Sequence, residues 1–163
     1  MAVVHLRIDN RLIHGQVTVT WVQSVNANHL IVCNDKVAVD PIQKMMLPQA
    51  ARGVKTSVLS VADTLAYAAK PEAQEEKIMV IAKFPADGLA LVEGGLKPQE
   101  VNVGNQAPIG GTKFKMVTNS VAVTAEDAET YRKIGRRGFL MTHKMMPSDR
   151  PGDFLELLKQ KGL

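Results

Sequence analysis

The sequence predicts an α/β protein, with a single-domain, mostly parallel central sheet of about seven strands and helices on both faces. Short apolar, β-branched segments alternate with helix-like stretches along the whole chain. The helix-like stretches begin with capping residues that follow directly after such segments. In addition, the nearly continuous apolar run at residues 78–82 is typical of a parallel strand that is covered on both faces.

Seven segments have the composition of strands, and most are separated by stretches long enough for crossover helices. They lie at residues 3–8, 29–33, 55–59, 77–82, 100–103, 117–123 and 138–143. In an open parallel sheet, ligands bind at the carboxyl ends of the strands. We therefore expect functional residues directly after strands.

Helix starts can be recognised between these strands. At one start, the N-cap residue Asp40 is followed by a first-turn proline. At two others, the N-cap residues Ser60 and Thr124 are each followed three positions later by an aspartate, which is the spacing of a capping box. Residues 153–160 place their apolar side chains on one helix face. That last helix is predicted to pack against the sheet.

The composition is that of one folded domain over residues 1–163. Hydrophobic residues make up 45% of the chain, which is enough for a single buried core. No apolar run approaches the roughly 20 residues of a membrane-spanning helix, and the N-terminal MAVVHLRIDN lacks the features of a signal peptide. We therefore expect a cytoplasmic protein without membrane insertion.

Charge and cysteine content narrow the possible functions. The net charge of +4 favours acidic partners, namely an acidic protein surface or a phosphorylated group. Nucleic-acid binding is a competing interpretation, but an aromatic content of 4% does not suit single-strand binding. Cys33 is the only cysteine and stands in an apolar strand, so we expect a buried, unreactive thiol with neither a disulfide nor a cysteine zinc site.

The densest polar segment follows the first predicted strand. Residues 7–17 read RIDNRLIHGQV and lead into a helix around Trp21. His14 stands at the start of that helix, where unpaired backbone N–H groups and the helix dipole favour a phosphoryl group. A neutral imidazole is a nucleophile, so this position predicts a phosphoryl acceptor.

Side chains around His14 have predicted roles. A guanidinium is the best-shaped side chain to hold phosphoryl oxygens, and we assign this role to Arg11 and then to Arg7. Asp9 or a backbone carbonyl would orient the His14 ring. Gly15 would let the backbone approach the phosphoryl group closely.

The pattern alone leaves a plainer interpretation open, in which His14 only caps or packs at a helix start and the arginines are solvated. Further candidates to line the site follow strand ends or His14 itself: Gln16, Asn34, Asp35 and Lys83. For Asp35 and Lys83, solvated loop charges are an equal alternative. The Gly-Gly-Thr-Lys run at residues 110–113 has the wrong order for a nucleotide-binding P-loop.

The segment R-x-D-x-R-L-I-H-G-Q-V resembles the active-site signature of the enzyme IIB components of the mannose/fructose/sorbose family of the bacterial phosphoenolpyruvate-dependent sugar phosphotransferase system. Three later segments also resemble that family: VCND at residues 32–35, VNVG at 101–104 and MMPSDRP at 145–151. The resemblance covers the full length of the chain. The family often continues with a further glycine after residue 104, whereas this chain has Asn105, so the role of the following loop to Lys113 is left open.

The resemblance implies a phosphoryl carrier. His14 would accept a phosphoryl group through Nδ1 from a phosphohistidine of a IIA component and donate it to a sugar held by the membrane components IIC and IID. No metal or organic cofactor is implied. We expect a free-standing IIB chain that works in the cytoplasm and transiently at the inner face of the membrane.

By general likeness, the expected sugar is an amino sugar such as N-acetylgalactosamine or galactosamine, ahead of mannose, sorbose or fructose. The competing function is a soluble phosphohistidine-dependent phosphatase or mutase, because Ile13-His14-Gly15 superficially resembles an R-H-G loop. Such an enzyme needs its own acid and base, and no second active-site histidine is evident in the sequence.

Overall fold

The computed structural model describes residues 3–163, which form nine strands and seven helices. The strands are β1 (Val3–Asp9), β2 (His29–Cys33), β3 (Lys55–Leu59), β4 (Ile78–Ala82), β5 (Val101–Asn105), β6 (Phe114–Thr118), β7 (Val121–Thr124), β8 (Met141–His143) and β9 (Gly152–Asp153). The helices are α1 (Gly15–Ser24), α2 (Asp35–Ala38), α3 (Pro41–Ala50), α4 (Val61–Ala68), α5 (Pro85–Glu93), α6 (Ala125–Arg136) and α7 (Phe154–Gln160), with a 3-10 turn at Pro71–Glu75.

The central sheet has seven strands in the order β3-β2-β4-β1-β5-β8-β9. The first six strands are parallel, and only the two-residue β9 runs antiparallel to its neighbour. β1 therefore lies in the middle, between β4 and β5. The predicted α/β class, the mostly parallel sheet and its approximate strand number are confirmed.

Helices cover both faces of the sheet, as predicted, because alternate side chains of the strands enter two separate cores. On β2, Ile31 and Cys33 belong to a core with residues of α5, α6 and α7, while Leu30 and Val32 belong to a second core with residues of α1 and α2. Side chains alternate between faces along a strand, so a run of consecutive apolar residues serves both cores.

The predicted helix starts have the expected caps. Asp40 accepts hydrogen bonds from the first-turn amides of α3, Ser60 from the amide of Asp63, and Thr124 forms a full capping box with Asp127. The predicted last helix packs its apolar face on the first core. Local capping chemistry thus explains where these helices begin.

One predicted strand is wrong. Residues 117–123 form parts of two short strands, β6 and β7, which pair antiparallel outside the central sheet. Asn119 and Ser120 form the turn between them, and both residue types favour turns. The seventh strand of the sheet is instead β9, which was not predicted because two residues carry no periodic pattern.

Strand ends differ from prediction by a few residues. β8 begins at Met141, three residues after the predicted start, because Gly138 has φ +91° just after the end of α6. β5 extends to Asn105, two residues beyond the predicted end.

Within residues 3–163, no helix is both long enough and apolar enough to cross a bilayer.

Candidate active site

The site lies at the carboxyl end of β1, where the connections of neighbouring strands separate. The chain leaves β1 into α1 on one face of the sheet, and it leaves the adjacent β4 into α5 on the other face. The carboxyl ends of strands where such a divergence occurs are the usual ligand position in doubly wound sheets. The β1–α1 loop occupies that position.

His14 is the N-cap residue of α1 and is exposed to solvent. Its side chain makes no capping hydrogen bond, while its backbone N–H donates to Thr18 Oγ1 at 2.8 Å. The His14 backbone is therefore fixed by the helix, while the His14 ring takes no part in capping it. A group bonded to this ring would lie beside the unpaired N–H groups of the first turn.

Left-handed backbone on either side shapes the loop around His14. Leu12 has φ +63° and Gly15 has φ +49°. A bulky residue such as Leu rarely adopts this conformation, and such strain concentrates at functional sites. Burial of the Leu12 side chain in the second core holds the strained backbone in place. Gly15 was predicted for close backbone approach, and the structure adds a conformational reason for it.

Asp9 is the central acceptor of the loop. Its side chain is 2% exposed, and Oδ1 accepts the backbone N–H of Arg11 at 3.0 Å and Nε of the same residue at 3.1 Å. Its Oδ2 accepts Nη2 of Arg11 at 2.8 Å and Nε of Arg7 at 3.3 Å. The suggestion that Asp9 orients the His14 ring is therefore corrected, because both of its oxygens are engaged by arginines.

Arg11 keeps part of its guanidinium free for a ligand. Asp9 binds the edge formed by Nε and Nη2, and the Arg11 side chain is 20% exposed. A guanidinium has five N–H donors, so this contact leaves some of the Arg11 donors unused. The phosphate-binding role of Arg11 stays a prediction.

Arg7 cannot take the predicted phosphate-binding role. Its side chain is 2% exposed, and its guanidinium donates to Asp9, to Oδ1 of Asn102 and to the carbonyls of Lys144 and Met145 at 3.0 and 3.2 Å. Burial lowers the pKa of Arg7 to about 10, which still leaves it charged at neutral pH. The correction has a simple reason: Arg7 lies inside a central strand that is covered on both faces.

Gly104 makes room for Arg7. The register between β1 and β5 shifts at the end of β1, where Ile8 pairs with Val103 but Asp9 pairs with Asn105, leaving Gly104 as the extra residue. A Cβ atom on Gly104 would lie 2.2 Å from Cζ of Arg7. The glycine of the VNVG segment thus leaves the space that the buried Arg7 guanidinium occupies.

The MMPSDRP segment is held against the same centre. Besides the bond from Arg7, the Met145 carbonyl accepts Nε1 of Trp21 at 2.8 Å. The Trp21 ring lies 5.0 Å from Cζ of Arg7 and stacks on His5, with ring centroids 4.7 Å apart. Segments that are distant in sequence therefore meet around Arg7.

The structure also places a basic residue near the site that the sequence did not single out. Arg52, which is exposed, donates from Nη1 to Oε1 of Gln16 at 3.0 Å. Gln16 in turn donates from Nε2 to Oγ1 of Thr20 at 3.2 Å. Gln16 was predicted to line the site, and it connects Arg52 to the first turn of α1. No local motif surrounds Arg52, so only the tertiary contact identifies it.

Two of the predicted lining residues are engaged in local structure. Asn34 is buried as the N-cap of α2, and its amide nitrogen donates to Oδ2 of Asp87 at 2.9 Å. Asp35 is exposed and accepts the backbone N–H of Val61 at 2.9 Å, at the start of α4. These contacts correct the lining role of Asn34, because both ends of its amide are used, and give Asp35 a capping role.

Lys83 directly follows β4 at the carboxyl edge of the sheet, half-buried, with Nζ 5.2 Å from the centre of the Phe84 ring. Its contribution to the site stays a prediction.

The loop from Asn105 to Lys113, whose role the sequence left open, is attached to Asn10. The Asn10 amide donates to the Ala107 carbonyl at 3.1 Å and accepts the Ala107 backbone N–H at 3.0 Å. That loop therefore starts beside the β1–α1 loop.

The other three histidines, in β1, β2 and β8, have structural surroundings. His29 is buried and contacts Glu76 Oε2 at 2.5 Å and Ser57 Oγ at 2.8 Å, while His143 contacts the Val103 carbonyl at 2.9 Å. Burial raises the pKa of Cys33 to about 12, in agreement with an unreactive thiol. Within residues 3–163, no cluster of three or more potential metal-ligating side chains is present.

Comparison with known proteins gives one consistent family. The profile described as "PTS system sorbose subfamily IIB component" matches residues 3–163. The crystal structure of the IIBSor domain of the sorbose permease from Klebsiella pneumoniae superimposes with a TM-score of 0.92 at 32% identity, covering 98% of each chain.

Two further relatives differ in length. The N-acetylgalactosamine-specific phosphotransferase enzyme IIB component 2 of Escherichia coli (strain K12) is 35% identical over 93% of this chain and 96% of its own length. The mannose-specific EIIAB component of the same organism is 36% identical over 94% of this chain. The chain spans about half of that relative, 47% of its length.

Proposed function

Because this chain belongs to the sorbose-subfamily IIB components of the sugar phosphotransferase system, we propose that His14 accepts a phosphoryl group and passes it to a sugar. The observation that carries the proposal is the exposed His14 at the start of α1, three residues after Arg11, whose guanidinium is held by Asp9. The protein is then a protein-phosphohistidine–sugar phosphotransferase built as one IIB domain.

Two transfers make up the reaction. In the first, a ring nitrogen of His14, which the family resemblance gives as Nδ1, attacks the phosphoryl group of a donor phosphohistidine. A P–N bond to His14 forms as the P–N bond to the donor ring breaks, and that ring keeps the electron pair. In the second transfer the new P–N bond breaks and its electron pair stays on the His14 ring, while a P–O bond to a sugar hydroxyl forms and the hydroxyl proton passes to water. His14 returns as a free imidazole.

Phosphoryl transfer asks the protein mainly for positioning and for stabilisation of negative charge. The first turn of α1 supplies backbone N–H donors and the positive end of the helix dipole. Arg11 supplies donors of fixed direction, because Asp9 holds the other edge of its guanidinium. None of these roles requires a metal ion or an organic cofactor.

The partners follow from the two transfers. A phosphorylated IIA component is the proposed donor, and membrane IIC and IID components with bound sugar are the proposed acceptor. The protein would work in the cytoplasm, transiently at the inner face of the membrane. Exposure of His14 supports direct transfer between large partners, because both must reach the same ring.

For the sugar we propose a hexose or an amino sugar such as N-acetylgalactosamine. The 35% identity to an N-acetylgalactosamine-specific relative supports an amino sugar, and the 36% identity to the mannose-specific relative supports a hexose to the same degree. The phosphatase or mutase alternative has no support from the comparisons. Its chemistry would need a second acid or base at the site, and the other three histidines are used in strands β1, β2 and β8.

The test is phosphorylation of the purified protein. Wild type and His14→Gln are incubated with a phosphoenolpyruvate-driven cascade that ends in a cognate IIA protein, and both are measured by intact-mass spectrometry. One acid-labile phosphoryl group on wild type and none on the variant is the expected result. Equal labelling of the variant, or no labelling of wild type by a demonstrably phosphorylated donor, would contradict the proposal.

A further inference from the structure

The start of α1 has no acidic residue in its first turn, and the His14 side chain does not cap it. Acidic side chains usually occupy such a position because the N-terminus of a helix carries about half a positive charge. The first turn of α1 is therefore electrostatically prepared for a negative group that the chain does not supply.

Arg52 makes this imbalance larger. Its guanidinium lies beside the first turn of α1 through the 3.0 Å bond from Nη1 to Gln16 Oε1. Arginine offers only donors, so the Gln16 amide must present its oxygen, and its nitrogen is then free to bind Thr20. Within residues 3–163, Arg52 has no carboxylate within ion-pair distance. A cation at this end of a helix is unfavourable unless an anion joins it.

The backbone also holds Arg52 in an uncommon conformation. Its φ is +52°, in the left-handed region that non-glycine residues seldom adopt. The next residue, Gly53, has φ +89°, so two successive left-handed residues turn the chain after α3. The turn directs a charged side chain towards α1 instead of leaving it among the solvated residues at the end of α3.

The local charges match a phosphoryl group. Arg7, Arg11 and Arg52 contribute three positive charges, and Asp9, which pairs with the first two, contributes one negative charge. Two positive charges are left, while a phosphoryl group carries about −1.5 to −2 at neutral pH. A phosphoryl group on His14 would therefore carry a charge of opposite sign and similar size to the sum over these four side chains.

We propose that Arg52 is a second guanidinium that binds the phosphoryl group on His14, and that Gln16 positions it. The inference rests on the proposed function and adds to it a residue from a separate part of the chain. Arg11 approaches from the loop before His14, and Arg52 approaches from the end of α3, so the phosphoryl oxygens are held from two sides.

The test measures the phosphoryl group directly, without a partner protein. Purified protein is phosphorylated with the small donor phosphoramidate, with His14→Gln as the control for the site, and the phosphoryl group on His14 is titrated by ³¹P NMR. Loss of a nearby cation makes the dianion less favourable, so Arg52→Ala is expected to raise the phosphoryl pKa by roughly half a unit. Arg52→Lys should lie between wild type and Arg52→Ala.

Two comparisons make the result specific. Arg137→Ala removes the same charge from the end of α6, on the opposite face of the sheet, and should leave the phosphoryl pKa unchanged. Gln16→Ala should raise the phosphoryl pKa by less than Arg52→Ala does. The double variant should have nearly the same phosphoryl pKa as Arg52→Ala alone, because Gln16 acts through Arg52. Acceptance of phosphate from a protein donor should slow by roughly tenfold in Arg52→Ala.

The outcomes separate the two proposals. If wild type is phosphorylated on His14 but Arg52→Ala titrates and accepts phosphate like Arg137→Ala, the role of Arg52 is wrong and the carrier function stands. If only protein-to-protein transfer slows while the phosphoryl pKa is unchanged, Arg52 contacts the partner and not the phosphoryl group, and the inference is again overturned. If wild type does not accept phosphate on His14, both proposals fail together.

Discussion

Asp9 holds Arg11 side-on, with Nε of the guanidinium 3.1 Å from Oδ1 and Nη2 2.8 Å from Oδ2. The same carboxylate also accepts the backbone N–H of Arg11. This arrangement fixes the direction of the guanidinium before any phosphoryl group arrives. A preorganised donor costs no reorganisation at the moment of reaction, which is why such groups lower barriers effectively.

Replacing Asp9 or Arg11 should separate positioning from stability. Arg11→Ala removes a partly exposed side chain but leaves the pair between Arg7 and Asp9 intact. We expect phosphoryl transfer to slow by roughly 10²-fold with little change in unfolding temperature. Asp9→Asn should slow transfer and also destabilise the protein by about 3 kcal/mol, because it leaves the buried Arg7 charge without its partner.

Rapid-quench transfer kinetics and thermal unfolding of both variants test this difference. Equal stability of Asp9→Asn and wild type would mean that Asp9 does not compensate the charge of Arg7. Unchanged transfer by a folded Asp9→Asn variant would mean that Arg11 needs no fixed direction.

Gly104→Ala should disturb the buried arginine. The added methyl group would lie 2.2 Å from Cζ of Arg7, whose guanidinium is fixed by hydrogen bonds to Asp9, Asn102 and Met145. We expect a loss of about 1–3 kcal/mol in the free energy of unfolding, measured by denaturant titration. Gly110→Ala is the matched control, since a Cβ atom there meets nothing within 4 Å. Equal stability of the two variants would show that Arg7 can move aside easily.

Gly15→Ala tests backbone conformation instead of space. A Cβ atom at Gly15 would meet nothing within 4 Å, but φ is +49°. An alanine in this region costs about 1–2 kcal/mol, and relief of that strain would shift the start of α1. We expect a modest fall in unfolding temperature and a larger fall in phosphoryl acceptance, followed by mass spectrometry. Wild-type acceptance by this variant would show that the left-handed turn is not needed.

The two buried histidines His5 and His29 should make the stability of the folded protein sensitive to acid. Burial is the main cause that lowers the pKa of His5, to about 4, with Arg7 and Lys144 adding to the effect and Glu100 opposing it. Burial also lowers the pKa of His29, opposed by its hydrogen bond with Glu76. The unfolded chain therefore binds more protons than the folded one below the ordinary histidine pKa of about 6.5. Stability should be complete above pH 6.5 and should fall as the pH drops towards 4.

His5→Phe isolates one part of this sensitivity. The change keeps a ring stacked on Trp21 and removes a buried Nε2 that has no partner within the described residues. A shift from 6.5 to about 4 corresponds to on the order of 3 kcal/mol, so the variant should lose clearly less stability between pH 7 and pH 4 than wild type. The exposed His14→Gln is the control. Parallel pH profiles for His5→Phe and wild type would contradict the burial argument.

Several features of the fold could be predicted because they depend only on local sequence patterns. Strands β1 to β5, the caps at Asp40, Ser60 and Thr124, and the buried Cys33 follow from neighbouring residues, because hydrophobic periodicity and capping act over a few positions. The hairpin β6–β7 was missed because two turn residues interrupt a segment that otherwise has strand composition.

The roles of the arginines could not be read from their order in the loop. Arg7 and Arg11 stand four residues apart and are chemically identical, yet one is buried under Trp21 and the other is partly exposed. A signal was present, since Arg7 lies within a strand predicted to be covered on both faces. The partners that satisfy it, Asn102 and Met145, are more than 90 residues away in sequence.

By itself the sequence determined the fold class, the family resemblance and the position of His14 at a helix start, because each depends on local patterns that can be followed along the chain. Only the tertiary structure decided which guanidinium faces the site, why residue 104 is glycine and that Arg52 reaches Gln16. These facts depend on which side chains fill the space around β1. That space is formed by strands and loops that meet only when the sheet is complete.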